Sequence, residues 1–143
     1  MHTLHSKGWT TQKDTLQKFL SATLAHQISR LISRKHYEVV NESFIDINNM
    51  DSDIADIIVY NLKKNFSPDL IIEFCVSGDL KSTLNSLEII SDLYGIKECF
   101  VYNTDTSIWY KVSSTDIDKS SFSKLLNINL DEVLSSAVLK YAS

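Results

Sequence analysis

The chain has 143 residues, of which 43% are hydrophobic and 22% charged, and its formal net charge is −4 at pH 7. This length and hydrophobic content predict one folded domain and exclude a disordered chain, while the acidic balance argues against a dedicated nucleic-acid-binding protein. No apolar run approaches the roughly 20 residues that a membrane helix needs, so we expect a cytoplasmic protein without membrane contact. We expect residues 1–10 to form a flexible N-terminus and residues 11–143 to form a single domain.

A long amphipathic helix is predicted over residues 11–35, with Thr10 or Thr11 as its N-cap. Its apolar residues recur at spacings of three and four, which places them on one face. They are Leu16, Phe19, Leu20, Leu24, Ile28, Leu31 and Ile32. The end of this helix is basic, with Arg30, Arg34, Lys35 and His36. Cations at this position complement the helix dipole, and we favour that interpretation over a DNA-binding patch.

Two short apolar runs that each contain an acid are the strongest functional signal in the chain. They are residues 53–60, with Asp56, and residues 68–75, with Glu73. Both are rich in isoleucine and are predicted to be strands, and the polar link between them has the length of a hairpin connection. A carboxylate within a buried strand is costly unless it is paired, hydrogen-bonded or bound to a metal.

The remaining elements alternate between strands and helices. Strands are predicted over residues 37–48, 99–102 and 107–112. Helices are predicted over residues 79–94, around Phe122–Leu126 and from Leu130 to Tyr141. The strand–helix–strand unit that contains the second acid predicts a crossover with a parallel strand pair. Together these elements predict an α/β fold with a mixed sheet and a helix on each side.

The two acids suggest a metal site if they face the same way. Glu73 shares its strand face with Ile71 and Cys75, because side chains alternate along a strand. If Asp56 points to that side, the two carboxylates can share one Mg²⁺, or Mn²⁺ as its substitute, and such an ion can support phosphodiester hydrolysis. The structural alternative is that Asp56 or Asp69 caps a turn and Glu73 pairs with a lysine. Spacing alone slightly favours the structural alternative.

Several short motifs occur in a specific order. They are His26-Gln27 in the long helix, Ala55-Asp56-Ile-Ile-Val59, Pro68-Asp69-Leu-Ile-Ile-Glu73, Tyr94-Gly-Ile-Lys-Glu-Cys-Phe-Val-Tyr102 and Asn127-Ile-Asn-Leu-Asp-Glu-Val-Leu134. Over residues 20–135 this order resembles the small bacterial restriction-endonuclease family of the PD-(D/E)XK superfamily. The resemblance implies a restriction-endonuclease-like fold, DNA as substrate, and Asp56, Glu73 and the backbone carbonyl of Cys75 as metal ligands. It also implies a homodimer, because cutting two strands often needs two sites and an exposed edge strand can pair across a two-fold axis.

The catalytic lysine of that superfamily has no clear counterpart here. It normally follows the second acid by two positions, where this chain has Cys75, or lies in the next helix, where residues 87–92 contain no lysine. Lys81, in the first turn of that helix, is the nearest candidate. Two functions therefore stay open: a Mg²⁺-dependent endonuclease that uses Asp56, Glu73 and Lys81, and a catalytically inactive nuclease-fold protein that binds a partner. The retained acids favour the first function, and the missing lysine and the net acidity favour the second.

Two further pairs of residues carry weaker signals. Cys75 and Cys99 lie in apolar strand-like runs without metal-binding spacing, which predicts buried thiols. Trp109 and Tyr110 lie on a predicted hairpin and can stack on a base, but we expect at least one of them to be part of the core.

Overall fold

The computed structural model describes residues 14–49 and 52–142; the segment predicted to be flexible, residues 1–10, lies outside the described residues. The helices of the described part are α1 (Thr15–Leu31), α2 (Leu80–Tyr94) and α3 (Leu130–Ala142). Its strands are β1 (Tyr37–Phe44), β2 (Ile54–Asn61), β3 (Ser67–Cys75), β4 (Glu98–Asn103), β5 (Ile108–Val112), β6 (Ile117–Asp118), β7 (Phe122–Ser123) and β8 (Ile128–Asn129). None of these helices is long and apolar enough to span a membrane.

Strands β1 to β6 form one sheet in which the spatial order equals the order in the chain. β3 and β4 run parallel, and the other neighbouring pairs run antiparallel. Helix α2 connects the parallel pair, as predicted for the strand–helix–strand unit, and β7 and β8 form a separate two-stranded sheet. The predicted fold class, an α/β protein with a mixed sheet and flanking helices, is confirmed.

Helices cover both faces of the sheet, and each face has its own apolar core. Helices α1 and α3 pack on one face, where the buried residues include Leu24, Ile28, Ile72, Phe74 and Leu130. Helix α2 covers the other face, where they include Ile58, Ile71, Cys75, Leu87 and Ile90. Because side chains alternate along a strand, successive residues of β3 enter the two cores in turn.

Helix α1 is shorter than the predicted span of residues 11–35. Asp14 caps it in a capping box: Asp14 Oδ1 accepts a hydrogen bond from the Gln17 N–H at 2.7 Å, and Gln17 Oε1 accepts one from the Asp14 N–H at 2.8 Å. This reciprocal pairing satisfies two backbone donors at the start of the helix. The helix ends at Leu31. The predicted caps lie outside the described residues; they are Thr10 and Thr11.

The segment after β6 differs from the short helix predicted around Phe122–Leu126. It forms strand β7 and a turn, because its donors bind the buried carboxylate of Glu98 in β4. Ser123 Oγ donates to Glu98 Oε1 at 2.6 Å, and the Lys124 N–H donates to Glu98 Oε2 at 2.9 Å. These bonds hold the segment against β4, and residues 124–127 form a turn in place of the predicted helix.

The predicted core role of the aromatic pair is confirmed for Trp109. This side chain is 5% exposed, and its Nε1 donates to Asp131 Oδ1 at 3.1 Å. Its ring packs against three aromatic rings, those of Phe74, Phe100 and Tyr102. Cys75 and Cys99 are buried thiols, as predicted.

Candidate functional site

The two acids lie where strands β2 and β3 separate. Backbone pairing between these strands runs from their connecting turn to the pair Ile57 and Ile72. Asp56 and Glu73 are the next residues on each strand, so they lie opposite each other. Beyond this point β2 pairs only with β1 and β3 only with β4. The acids therefore occupy the point at which the sheet opens.

Hydrogen bonds from each strand to the opposite carboxylate bridge this opening. The Asp56 N–H donates to Glu73 Oε1 at 2.6 Å, and the Phe74 N–H donates to Asp56 Oδ2 at 2.8 Å. Asp56 is 2% exposed and Glu73 is fully buried. Hydrogen bonds from backbone N–H groups stabilise the charged form of a carboxylate. The two side chains thus replace the ladder bonds that the backbone no longer makes.

Both acids face helix α2. Opposite residues of an antiparallel pair share a face, and side-chain alternation places Asp56 with Ile58 and Glu73 with Ile71 and Cys75. The apolar residues of this set belong to the core under α2. The condition set by the sequence, that Asp56 and Glu73 point to the same side of the sheet, is therefore met.

Polar side chains of α1 hold the acid-bearing strands from the other face. Gln17 Nε2 donates to the Phe74 carbonyl in a long bond of 3.4 Å, and Ser21 Oγ donates to the Asp56 carbonyl, also at 3.4 Å. Asn41 Nδ2 donates to the same Asp56 carbonyl at 3.2 Å and to Ser21 Oγ at 2.9 Å. Three of these bonds end on the backbone carbonyls of Asp56 and Phe74 at the opening, and the fourth joins the Asn41 and Ser21 side chains.

Sequence reasoning missed the roles of Gln17 and Ser21. The apolar face predicted for the helix does not include these two residues, whereas Gln17 is 4% exposed and Ser21 is 5% exposed. Their spacing of four residues puts them on one stripe with Leu20 and Leu24. Two polar residues within the predicted apolar stripe were the signal that could have revealed them.

The structure does not bring the predicted Cys75 carbonyl to the acids. That carbonyl accepts hydrogen bonds from the Thr104 N–H at 2.8 Å and from Thr104 Oγ1 at 3.1 Å, so it points toward the β4 side of β3. Successive carbonyls of a strand point to opposite sides. The carbonyl on the β2 side is therefore that of Phe74, whose N–H already binds Asp56 on that side. The Phe74 carbonyl accepts the hydrogen bond from Gln17 Nε2 that is described above.

Lys81 also lies apart from the acids. It is the second residue of α2 and is exposed, and no hydrogen bond or ion pair of Lys81 is found within residues 14–49 and 52–142. Thr83 of the same helix is fully buried. Because helical residues two apart project about 200° from each other, Lys81 projects away from the packed face that Thr83 occupies.

Asp69 has a structural role at the other end of β3. A register shift in the β2–β3 pairing leaves it without an opposite residue, and Asn61 Nδ2 donates to its Oδ2 at 2.9 Å. Lys97 Nζ lies 3.6 Å from the same oxygen. At a rise of about 3.3 Å per residue, Asp69 lies roughly 13 Å from Glu73 along the strand. The structural alternative expected Asp56 or Asp69 to cap a turn and Glu73 to pair with a lysine. In the structure it is Asp69 that pairs with a lysine, and its other partner is the side chain of Asn61.

The donor set at the opening fits a hard divalent cation. Two carboxylates lie side by side, and Mg²⁺ or Mn²⁺ prefers such oxygen ligands and keeps several waters. Among the described residues there is no cluster of three or more histidine, cysteine, aspartate or glutamate side chains placed to hold a metal. Asp56 and Glu73 would therefore supply the side-chain ligands as a pair.

No family model matches this chain, and a search of the curated proteins also gave no match. Membership of the PD-(D/E)XK superfamily therefore stays a prediction, which the motif order supports.

Proposed function

We propose that this protein is a metal-dependent nuclease of restriction-endonuclease-like fold that hydrolyses phosphodiester bonds in DNA. The observation that carries the proposal is the pair of buried carboxylates, Asp56 and Glu73, opposite each other where β2 and β3 separate. Burial of two neighbouring like charges is unfavourable. A divalent cation held between them would compensate both charges, which would explain why two carboxylates are buried next to each other.

The chain's own residues would hold the cation and keep the opening rigid. When bound, the ion supplies charge stabilisation and an activated water. Asp56 and Glu73 would hold it, and the backbone N–H groups of Asp56 and Phe74 keep the carboxylates oriented. Gln17 and Ser21 act as positioning residues, because they bind the carbonyls of Phe74 and Asp56. Such support of ligands by surrounding hydrogen bonds is typical of metal sites.

The environment of the lysines favours a second candidate function, that of an inactive nuclease-fold protein that binds a partner. Lys81 is exposed and projects away from the packed face of α2. The residue two positions after Glu73 is the buried Cys75. A site without a lysine next to the attacking water would still bind the metal and the nucleic acid, but it would cleave slowly or not at all. This candidate differs from the first in activity and not in metal binding.

A thermal melt with and without the metal tests the acid pair. We expect Mn²⁺ to stabilise the parent protein over its EDTA-treated form by about 2.7 kcal/mol at a hundredfold excess over Kd. Glu73→Gln and Asp56→Asn should lose the shift. Asp69→Asn is the matched control, since Asp69 is an equally buried acid of β3 with other partners. A parent protein whose melting temperature does not respond to Mn²⁺ or Mg²⁺ would refute the metal centre.

A cleavage assay then separates the two candidates. The parent protein and Glu73→Gln are incubated with supercoiled plasmid and with linear duplex in Mg²⁺ or Mn²⁺. Cleavage by the parent that is lost in Glu73→Gln supports the nuclease. A metal-dependent thermal shift without cleavage by the parent supports the inactive nuclease-fold protein.

The proposal retains the homodimer and the cytoplasmic location predicted from the sequence. Strand β1, eight residues long, forms one edge of the six-stranded sheet, and the two-residue strand β6 forms the other. An edge strand of this length offers unpaired backbone groups to a second copy. Pairing of two β1 strands across a two-fold axis is the arrangement that we propose.

A further inference from the structure

Basic residues are concentrated in two segments that contain no acid. Residues 30–37 and 61–68 carry five of the fourteen lysines and arginines of the chain and none of its eighteen acids. These five are Arg30, Arg34, Lys35, Lys63 and Lys64. The rest of the chain is therefore more acidic than the net charge of −4 suggests.

The fold joins these two segments at one end of the sheet. Because β1 and β2 are antiparallel, the turn before β1 lies beside the turn after β2, and the Leu62 N–H donates to the His36 carbonyl at 2.8 Å. We use the name basic end for the exposed cations that meet here. They are Arg34 and Lys35 from the first turn and Lys63 and Lys64 from the second.

The helix dipole does not account for the cations of the first turn. Helix α1 ends at Leu31, and Arg30 is the basic residue of its last turn. The dipole effect falls off within that turn, so Arg34 and Lys35 lie beyond its range. The interpretation favoured from the sequence, which assumed a helix to residue 35, therefore applies to Arg30 and not to the basic end.

Nearby acids offset little of this positive charge. Asp69 is buried and already bound to Asn61 and Lys97. Glu38, the second residue of β1, is the exposed acid next to the first turn. Within the part of the chain that the structure describes, one exposed acid adjoins these four exposed cations, which leaves a local positive field on an acidic protein.

The second turn presents its lysines from a fixed backbone. Asn65 and Phe66 both adopt left-handed backbone conformations, with φ of 53° and 59°. This region is unfavourable for a bulky residue such as phenylalanine. The Phe66 N–H donates to the Asn61 carbonyl at 3.0 Å, and its ring packs edge-on against Tyr60 with centroids 6.3 Å apart. Phe66 remains 41% exposed, so an aromatic face lies next to Lys63 and Lys64.

From this arrangement we infer that the basic end is a contact surface for the phosphate backbone of duplex nucleic acid. The hairpin β2–β3 carries the basic end at its turn and the acid pair five residues away, a distance of about 17 Å. A duplex has one phosphate per strand every 3.4 Å or so, so about five base pairs match the distance between the basic end and the point where β2 and β3 separate. The choice of nucleic acid among polyanions rests on the proposed function.

Duplex binding in EDTA tests this surface without the metal centre. Anisotropy of a labelled 20-base-pair duplex is measured for the parent chain, for Lys63→Gln/Lys64→Gln and for Arg34→Gln/Lys35→Gln. We expect each double variant to bind about tenfold more weakly and to lower the slope of log Kd against log salt by about 2. The matched control is Lys119→Gln/Lys124→Gln, which removes two exposed lysines elsewhere and should bind like the parent. Melting curves establish that all variants are folded.

Three results of the duplex assay would overturn the inference. They are a parent chain that does not bind the duplex, basic-end variants that bind like the parent, and a control pair that loses as much affinity as they do. Vesicles containing phosphatidylserine provide the comparison with lipid, and binding to vesicles but not to the duplex would also overturn it. The duplex assay is independent of the metal centre, because EDTA removes the metal. If duplex binding fails but Mn²⁺ still raises the melting temperature, the contact surface is refuted and the metal centre is not. If duplex binding is intact but Mn²⁺ has no effect on the melting temperature, the metal centre is refuted and the contact surface is not.

Discussion

At the residue scale, the buried N–H of Asp56 depends on the side chain of Glu73 for its hydrogen bond. We expect Glu73→Ala to lower the free energy of unfolding by about 1–3 kcal/mol, because a buried donor then loses its acceptor. Glu73→Gln retains an oxygen at the same position and should lose less. Urea unfolding in EDTA measures both variants. Equal midpoints for the two variants would show that this bond does not hold β2 and β3 together.

Because of Cys99, we expect the free energy of unfolding to depend on pH in the alkaline range. Burial raises the pKa of its thiol from 9.0 to about 12. The unfolded chain therefore loses this proton at a lower pH than the folded chain, and the free energy of unfolding falls as pH rises above 9. We expect a loss of about 1 kcal/mol between pH 9 and pH 10 that is absent in Cys99→Ala.

Urea unfolding of the parent and Cys99→Ala at pH 8, 9 and 10 measures this difference. Burial also raises the pKa of Tyr60 and that of Tyr94 above 10.0, and both groups act in the same direction. Because both tyrosines are present in the parent and in Cys99→Ala, the difference between the two pH profiles reports on Cys99. Parallel pH profiles for the two proteins would contradict the assignment.

At the scale of elements, the segment 122–126 depends on one carboxylate in β4. Glu98 is 6% exposed and accepts hydrogen bonds from Ser123, from the backbone of Lys124 and, at 2.9 Å, from Lys111 Nζ. Removal of one member of a buried charged network is strongly destabilising. We expect Glu98→Ala to cost about 3 kcal/mol and to expose the amides of this segment to exchange.

Hydrogen exchange followed by peptide mass analysis locates that effect. Glu98→Gln is the control, since it keeps the size of the side chain and one acceptor oxygen. Exchange should rise in residues 122–126 and stay unchanged in α1, since the described hydrogen-bond partners of the Glu98 carboxylate lie in β5, β7 and the turn after β7. A uniform rise over the described elements would indicate global unfolding and would contradict a local anchoring role.

At the scale of the whole molecule, the edge strand β1 decides whether two copies can pair. We expect amide exchange in residues 37–44 to slow as protein concentration rises, because pairing across a two-fold axis would protect that edge. Glu38 and Glu42 lie on this strand, so salt should strengthen the dimer by screening their repulsion. Duplex binding at the basic end should respond to salt in the opposite direction.

Light scattering over the same concentration range measures the mass directly. The short edge strand β6 serves as the internal control for exchange, because no pairing is expected there. A monomeric mass at the highest concentration, with unchanged exchange in β1, would refute the homodimer.

Much of the fold could be predicted from local sequence. The isoleucine-rich runs around Asp56 and Glu73 predicted their strands, and the strand–helix–strand unit predicted the parallel pair, because both signals depend on near neighbours in the chain. The helix predicted around Phe122–Leu126 was wrong because the conformation of this segment depends on a residue that is distant in the chain. Its apolar spacing suggests a helix, but a carboxylate from β4, far away in sequence, takes its donors.

Some features of the candidate site could also be predicted from local sequence, and others could not. The sequence by itself determined the two acids, their strands and the face on which Glu73 lies, since side-chain alternation is a property of the single strand. Only the tertiary structure decided that Asp56 lies opposite Glu73, that the Cys75 carbonyl binds Thr104 on the β4 side, and that two basic turns meet at one end of the sheet. Strand register and the neighbours of each strand fix these features, and both arise from contacts between segments that no local pattern encodes.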